Sequence, residues 1–169
     1  QFIFILNIVE TTYNISLNDQ QIHNILEKYP LVFRPKLYDI FELILLYETH
    51  HKITFFILYT CNNKPHFVRS IVHYLERKLN RNSIFSEILF EPTNTKNIHT
   101  LLNHMNGNHH FLCFIDNTLF EYRDKRVITR YIKSENYIYQ YDIKEVIRLF
   151  PYDLFNQINE SLLKQYFKN

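Results

Sequence analysis

Glycine is nearly missing from this sequence. A single one, Gly107, stands in 169 residues, and alanine and tryptophan do not occur at all. With one glycine there is no GxGxxG and no GxxxxGK, so the glycine-rich phosphate loops of dinucleotide-binding and P-loop proteins are excluded. Turns must rest on Asn, Asp, Pro and Ser instead. Cysteine is scarce too: Cys61 and Cys113 make no CxxC pair, and each sits at or near the end of an apolar run. That placement predicts two reduced core thiols in a non-oxidising compartment rather than a disulfide. No run reaches the roughly 18 apolar residues of a membrane span. The N-terminal apolar run lacks a basic flank and is too short for a signal peptide. Because the chain opens on Gln1, residues upstream are expected to have been removed or left out. An excess of either charge is also lacking. The net charge of +2 is too small to point to nucleic acid by itself.

Phe, Tyr, Ile, Asn and Lys fill the gaps, with 15 Phe and 13 Tyr. This is the residue set of an AT-rich genome: an organelle, a virus or an AT-rich protist. At 46% hydrophobic and 21% charged residues, the chain is expected to fold as a globular protein. Its length predicts one domain, residues 1–169, with room for a sizeable core.

The chain reads as alternating strands and helices. Residues 2–6 form a continuous apolar run that ends in the polar residues Asn7, Glu10, Thr11 and Thr12, as a strand covered on both faces would. Ser16 or Asn18 can cap a helix that carries Ile22, Ile25 and Leu26 and stops at Pro30. Residues 31–35 read as extended. Pro35 suits a first helical turn, followed by Leu37, Ile40, Phe41, Ile44 and Leu45 on one face. A second strand over 53–59 runs into Thr60, Cys61, Asn62 and Asn63. Pro65 opens a helix with Phe67, Val68, Ile71, Val72 and Leu75 inward and Arg69, Glu76, Arg77 and Lys78 outward. A third strand spans 84–90, a helix spans 96–105 up to Gly107, and a fourth strand over 111–115 ends in Asp116, Asn117 and Thr118. A basic, irregular stretch covers 122–133, a short edge strand 137–141, and two amphipathic helices close the chain. The second of these, with Leu154, Phe155, Ile158 and Leu162, is expected to pack on the sheet. This alternation predicts an α/β fold with a mostly parallel central sheet and helices on both faces, a three-layer α/β/α Rossmann-like domain. Three polar strand ends, at 7–12, 60–63 and 116–118, would then converge at one edge, where such folds place ligands.

The order of these motifs resembles the haloacid dehalogenase-like superfamily. It is most similar to the phosphatase domain that acts on the C-terminal tail of RNA polymerase II, a domain shared with a mitochondrial presequence-translocase subunit. In that family a first strand ends in Asp-x-Asp-Glu-Thr, where this chain has Asn7-Ile8-Val9-Glu10-Thr11. An Arg-Pro pair starts a helix, matched by Arg34-Pro35. A second strand ends in a phosphate-binding Thr or Ser, matched by Thr60. A Lys opens a Lys-Asp-Leu-like helix, matched by Lys96-Asn97-Ile98 with Leu101. A later strand ends in Asp-Asn, matched by Asp116-Asn117. An extended segment and an acidic residue before a final helix match Val127-Ile128 and Asp142 loosely. The likeness runs over about residues 2–155.

The departures bear on chemistry. The resemblance implies that the first Asp of the opening motif attacks phosphorus, that the second moves the proton, and that both fix Mg²⁺. Here those positions are Asn7 and Val9. A neutral amide forms no aspartyl-phosphate, and an isopropyl group moves no proton, a loss that alone costs about 10²–10⁴ in rate. Asp116 is the one matched position that still offers a carboxylate to a hard cation, with Asn117 beside it, so no cofactor is expected. Thr60, Lys96 and Asn117 remain as a phosphate-binding remnant. The expectation is therefore a catalytically inactive phosphatase-like domain, a pseudophosphatase, serving as a structural or interaction subunit among the protein subunits of a larger assembly. A mitochondrial assembly is favoured, with a viral particle or infected-cell compartment as the alternative. Two rivals remain open. One is an active Mg²⁺-dependent protein phosphatase with a rearranged site, in which Asp116 or Glu10 replaces the missing acid. The other is an RNA-associated subunit that grips polyanion through Arg123, Lys125, Arg126, Arg130 and Lys133. For that stretch a solvated or protein-facing rim is the favoured reading. Histidines at 50, 51, 99, 104, 109 and 110 do not match zinc spacings, and a metal site is not expected from them.

Overall fold

The computed structural model describes residues 6–7, 10–11, 14–50, 55–91, 96, 98–104, 111–116 and 128–134. The chain divides into two compact units, one made of Gln1–Pro35 with Ile138–Asn169, the other of Lys36–Tyr137.

In the first unit, Leu6, Asn7, Glu10 and Thr11 have helical backbone, with Leu6 fully buried. Asn7 is therefore not the tip of a strand, and residues 2–5 of the expected first strand lie outside the described residues. A short apolar run has no intrinsic choice between strand and helix until a partner supplies the ladder. Here a local closure helps to decide it. Asn14 takes the left-handed conformation (φ 50°), and the Ile15 N–H donates to the Glu10 carbonyl at 3.2 Å. This is the six-to-one bond that ends a helix, with Asn in the place glycine usually holds. Val9 lies outside the described residues. Helix α1 (Asp19–Lys28) follows. The Asn18 side chain accepts from the Gln21 N–H while the Gln21 side chain accepts from the Asn18 N–H, a complete capping box. Ile22, Ile25 and Leu26 are buried as their spacing requires. Residues Pro30–Val32 form one 3-10 turn, where an extended segment was expected.

The second unit opens with α2 (Leu37–Thr49). Its N-cap is Lys36, at φ 63°, so Pro35 lies before the helix rather than in its first turn. Phe41 and Leu45 are buried, but Ile40 faces outward, against the expectation of a single inward stripe. Phe41 meets Phe56 and Phe85 edge-on, with ring centroids 5.9 and 5.7 Å away, and these two rings lie 4.7 Å apart. Such edge-to-face arrangements suit the ring quadrupoles.

Strand β1 (Ile57–Thr60) leads through α3 (Pro65–Lys78) to β2 (Glu87–Phe90). The two strands pair in parallel, Ile57 opposite Glu87 and Thr60 opposite Phe90. Parallel partners need a crossover, and α3 supplies it. Pro65 occupies the first turn of α3, where its missing N–H costs nothing. Phe67, Val68, Val72, Tyr74 and Leu75 face the core. At the far end Asn80 is left-handed (φ 51°), Arg81 N–H donates to the Glu76 carbonyl at 2.9 Å, and Asn80 N–H to Arg77 at 3.2 Å. Asparagine thus closes this helix as well.

Helix α4 (Ile98–His104) connects β2 to β3 (Phe111–Asp116). Its Leu101 is buried, and its His104 bonds Glu87 at the start of β2. Strand β4 (Ile128–Lys133) pairs with β3 in parallel, from Phe111 opposite Ile128 to Asp116 opposite Lys133. The second half of the basic stretch is therefore a strand, not an irregular loop, and its β-branched Ile128, Thr129 and Ile132 suit that state. Among the described residues the strands form two separate parallel pairs, β1 with β2 and β3 with β4. The architecture is mixed helix and strand with small parallel sheets. The expected edge strand over 137–141 and the two closing helices lie outside the described residues.

Candidate functional site

The residues expected to converge sort into three groups. Asn7 is in the first unit, in helical backbone, with its side-chain oxygen buried and without a hydrogen-bond partner among the described residues. Glu10, a candidate replacement acid, has a local role: its Oε1 accepts the Leu17 N–H at 2.8 Å and braces the turn between the two helical segments. Thr60 and Asp116 both end parallel strands in the second unit, as expected, though in different strand pairs.

Thr60 ends β1. Its hydroxyl accepts the Asn62 N–H at 3.1 Å, and Asn62 Oδ1 accepts the Lys64 N–H at 2.8 Å. The loop into α3 is thus tied by its own side chains, which is how a glycine-free chain makes such a turn. The Thr60 carbonyl also accepts Glu91 N–H at 2.9 Å, extending the ladder past β2.

Glu91 is a buried residue that the sequence reading passed over. Its carboxylate accepts the Tyr59 hydroxyl at 2.6 Å, a side-chain bond across the end of the β1–β2 pair. A buried carboxylate without a donor is costly, and the Tyr59 hydroxyl offsets part of that cost. The signal was present in the Glu-Ile-Leu-Phe-Glu run of 87–91, where alternation puts Glu91 on the same face as Leu89.

Lys96 and Asp116 are brought together. The Lys96 ammonium, just ahead of α4, bonds the Asp116 carboxylate at the end of β3, with the two side chains 24% and 10% exposed. The Asp116 carbonyl accepts the Ser134 N–H at 2.8 Å, and Lys133 is its register partner on β4. One carboxylate thus has one cation bonded to it and a second on the adjoining strand. A lysine bonded in this way has its charge already answered and is a weaker phosphate ligand than an unpaired one. Asn117 lies outside the described residues.

Arg130 is on β4, exposed beside Ile132, and Cys113 and Ile115 occupy the same face of β3. Both isoleucines are more than half exposed, so this face is open. Cys113 is exposed and Cys61 half-buried, both free thiols, so neither is the core residue that its apolar flank predicted. Cys113 alternates onto the outward face of its strand, and Cys61 follows the end of β1. Arg123, Lys125 and Arg126 lie outside the described residues. No three His, Cys, Asp or Glu side chains gather into a metal-ligand group among the described residues, and no helix there is long and apolar enough to cross a membrane.

The fold and these residues define a mixed α/β protein with a paired charge at one strand end. No family model matches the chain, and no curated protein or solved structure is significantly similar to it.

Proposed function

We propose that this chain is a non-catalytic, phosphatase-like α/β module that serves as an interaction subunit of a larger protein assembly, with Lys36–Tyr137 as part of a three-layer, haloacid dehalogenase-like domain. The observation that carries the reading is the Lys96–Asp116 pair. Motif order alone assigned both residues to one site, and they meet across 20 positions of sequence. The same pair supports the absence of turnover. Its cation neutralises the one matched carboxylate, and neither Asn7 nor Val9 supplies a nucleophile or a proton. Asn7 adds no strand tip, so the likeness rests on the second unit.

The test is hydrolysis of an aryl phosphate by the purified chain with Mg²⁺. The expected rate is that of buffer alone. Hydrolysis that depends on Mg²⁺ and disappears in Asp116→Asn would overturn the proposal in favour of a rearranged active site.

A further inference from the structure

Helix α2 is apolar on more sides than its own unit uses. Phe41 and Leu45 are buried, whereas Ile40, Leu43, Leu46 and Tyr47 are 46%, 53%, 53% and 49% exposed. At 3.6 residues per turn these four cover about 120° of the helix surface. A contiguous apolar face of this kind marks an interaction site. The charges on α2 are all of one sign. Asp39, Glu42 and Glu48 are acidic, and Leu37–Thr49 holds no Lys or Arg. Asp39 projects into the N-terminal end of the face, in the sector between Leu46 and Leu43, and Glu42 lies just beyond Leu46, so one end and one border of the face are acidic. Asp39 and Glu42 are both exposed.

We infer that this face docks an amphipathic helix of a partner protein, whose apolar stripe covers Ile40, Leu43, Leu46 and Tyr47 and whose Lys or Arg flank meets Asp39 and Glu42. Helix against exposed helix face is a recurring recognition mode, read through anchors at i, i+3 and i+7, here Ile40, Leu43 and Tyr47. Charge chooses the occupant. A second copy of this chain would set Asp39 and Glu42 against the same two carboxylates, whereas a basic flank complements them and rejects acidic competitors. The inference rests on the reading of the chain as an interaction subunit and names the kind of partner.

The test uses the full chain and two synthetic probes of about 18 residues, long enough to hold a helix. Both carry the same leucine stripe; one has Lys and Arg flanks, the other Glu flanks. Fluorescence anisotropy is expected to show the basic peptide binding at least about tenfold more tightly than the acidic one, with a preference that shrinks as salt rises. Leu43→Ser with Leu46→Ser should weaken the basic peptide by a further factor of about ten while leaving circular dichroism unchanged. Equal binding of both peptides, or binding indifferent to the double substitution, overturns the inference. So does no binding, since the face is then covered from within the chain. Sedimentation showing a dimer that the double substitution dissolves overturns it in favour of a second copy. None of these outcomes touches the aryl-phosphate result, so failure here and failure of the non-catalytic reading are distinguishable.

Discussion

Helices α2 and α3 are 13 and 14 residues long and belong to the same unit, yet they use their side chains in opposite ways. Helix α3 buries Phe67, Val68, Val72, Tyr74 and Leu75 and sends Arg69, His73, Arg77 and Lys78 outward. Its Arg69 guanidinium lies 5.4 Å from the centre of the Phe90 ring on β2, so even its polar side is engaged. Of the Phe, Val, Ile, Tyr and Leu positions of α3 only Ile71 is half-buried, and the others lie inside. Helix α2 anchors through Phe41 and Leu45 and leaves four large apolar residues at the surface. The difference teaches that α3 is a structural crossover, whereas α2 leaves part of its apolar sequence outside its own core.

Substitutions can break or sharpen this contrast. The largest effect is expected at the anchors. Phe67→Ala removes a wholly buried ring and should cost about 5 kcal/mol in urea unfolding, with Phe41→Ala nearer about 3, because Phe41 keeps some contact with solvent. Equal losses at both would put α2 as deep in the core as α3. An intermediate effect is expected at the α3 closure. Asn80→Ala forces a β-carbon into the left-handed region without the local hydrogen bonding that helps Asn, at about 1–2 kcal/mol, while Asn80→Gly should not destabilise. The smallest is expected on the open face of α2. Leu43→Ser should change stability by no more than about 0.5 kcal/mol, and a loss comparable to that of Phe41→Ala would show that Leu43 is packed inside the protein.

Much of the helical structure was legible in the sequence because its signals are local. Asn18 and Gln21 announce the start of α1, Pro65 announces α3, and the stripes of both helices are buried where their period puts them, save for the half-buried Ile71. The scarcity of glycine foretold a reliance on asparagine, seen at Asn14 and Asn80. The strands over 57–60, 87–90 and 111–116 overlap the expected runs over 53–59, 84–90 and 111–115, with β1 and β3 each taking in the first polar residue, Thr60 and Asp116. Leu6 and Asn7 misled because an apolar run with polar residues behind it fits either regular structure, and the left-handed turn at Asn14 has no strong local signal. Strand β4 was hidden by its charges: Arg130 and Lys133 alternate with Ile128 and Ile132, a pattern that a strand with one open face permits. Of the candidate site, the motif order named both Lys96 and Asp116, whereas Glu91 was missed because nothing short of a neighbouring Tyr59 makes a strand-end glutamate a buried one.

By itself the sequence determined the caps, the turns and most of the inward stripes of α1 and α3, together with the presence of an amide and an isopropyl group, not carboxylates, at positions 7 and 9. These follow from hydrogen bonds and side-chain spacing within a turn or two of the chain. Only the tertiary structure decided that Leu6, Asn7, Glu10 and Thr11 take helical backbone, that Lys96 answers Asp116, and that α2 leaves Ile40, Leu43, Leu46 and Tyr47 exposed. Each depends on groups far apart in sequence, and on which partner reaches a given surface first, a choice that local propensity does not encode.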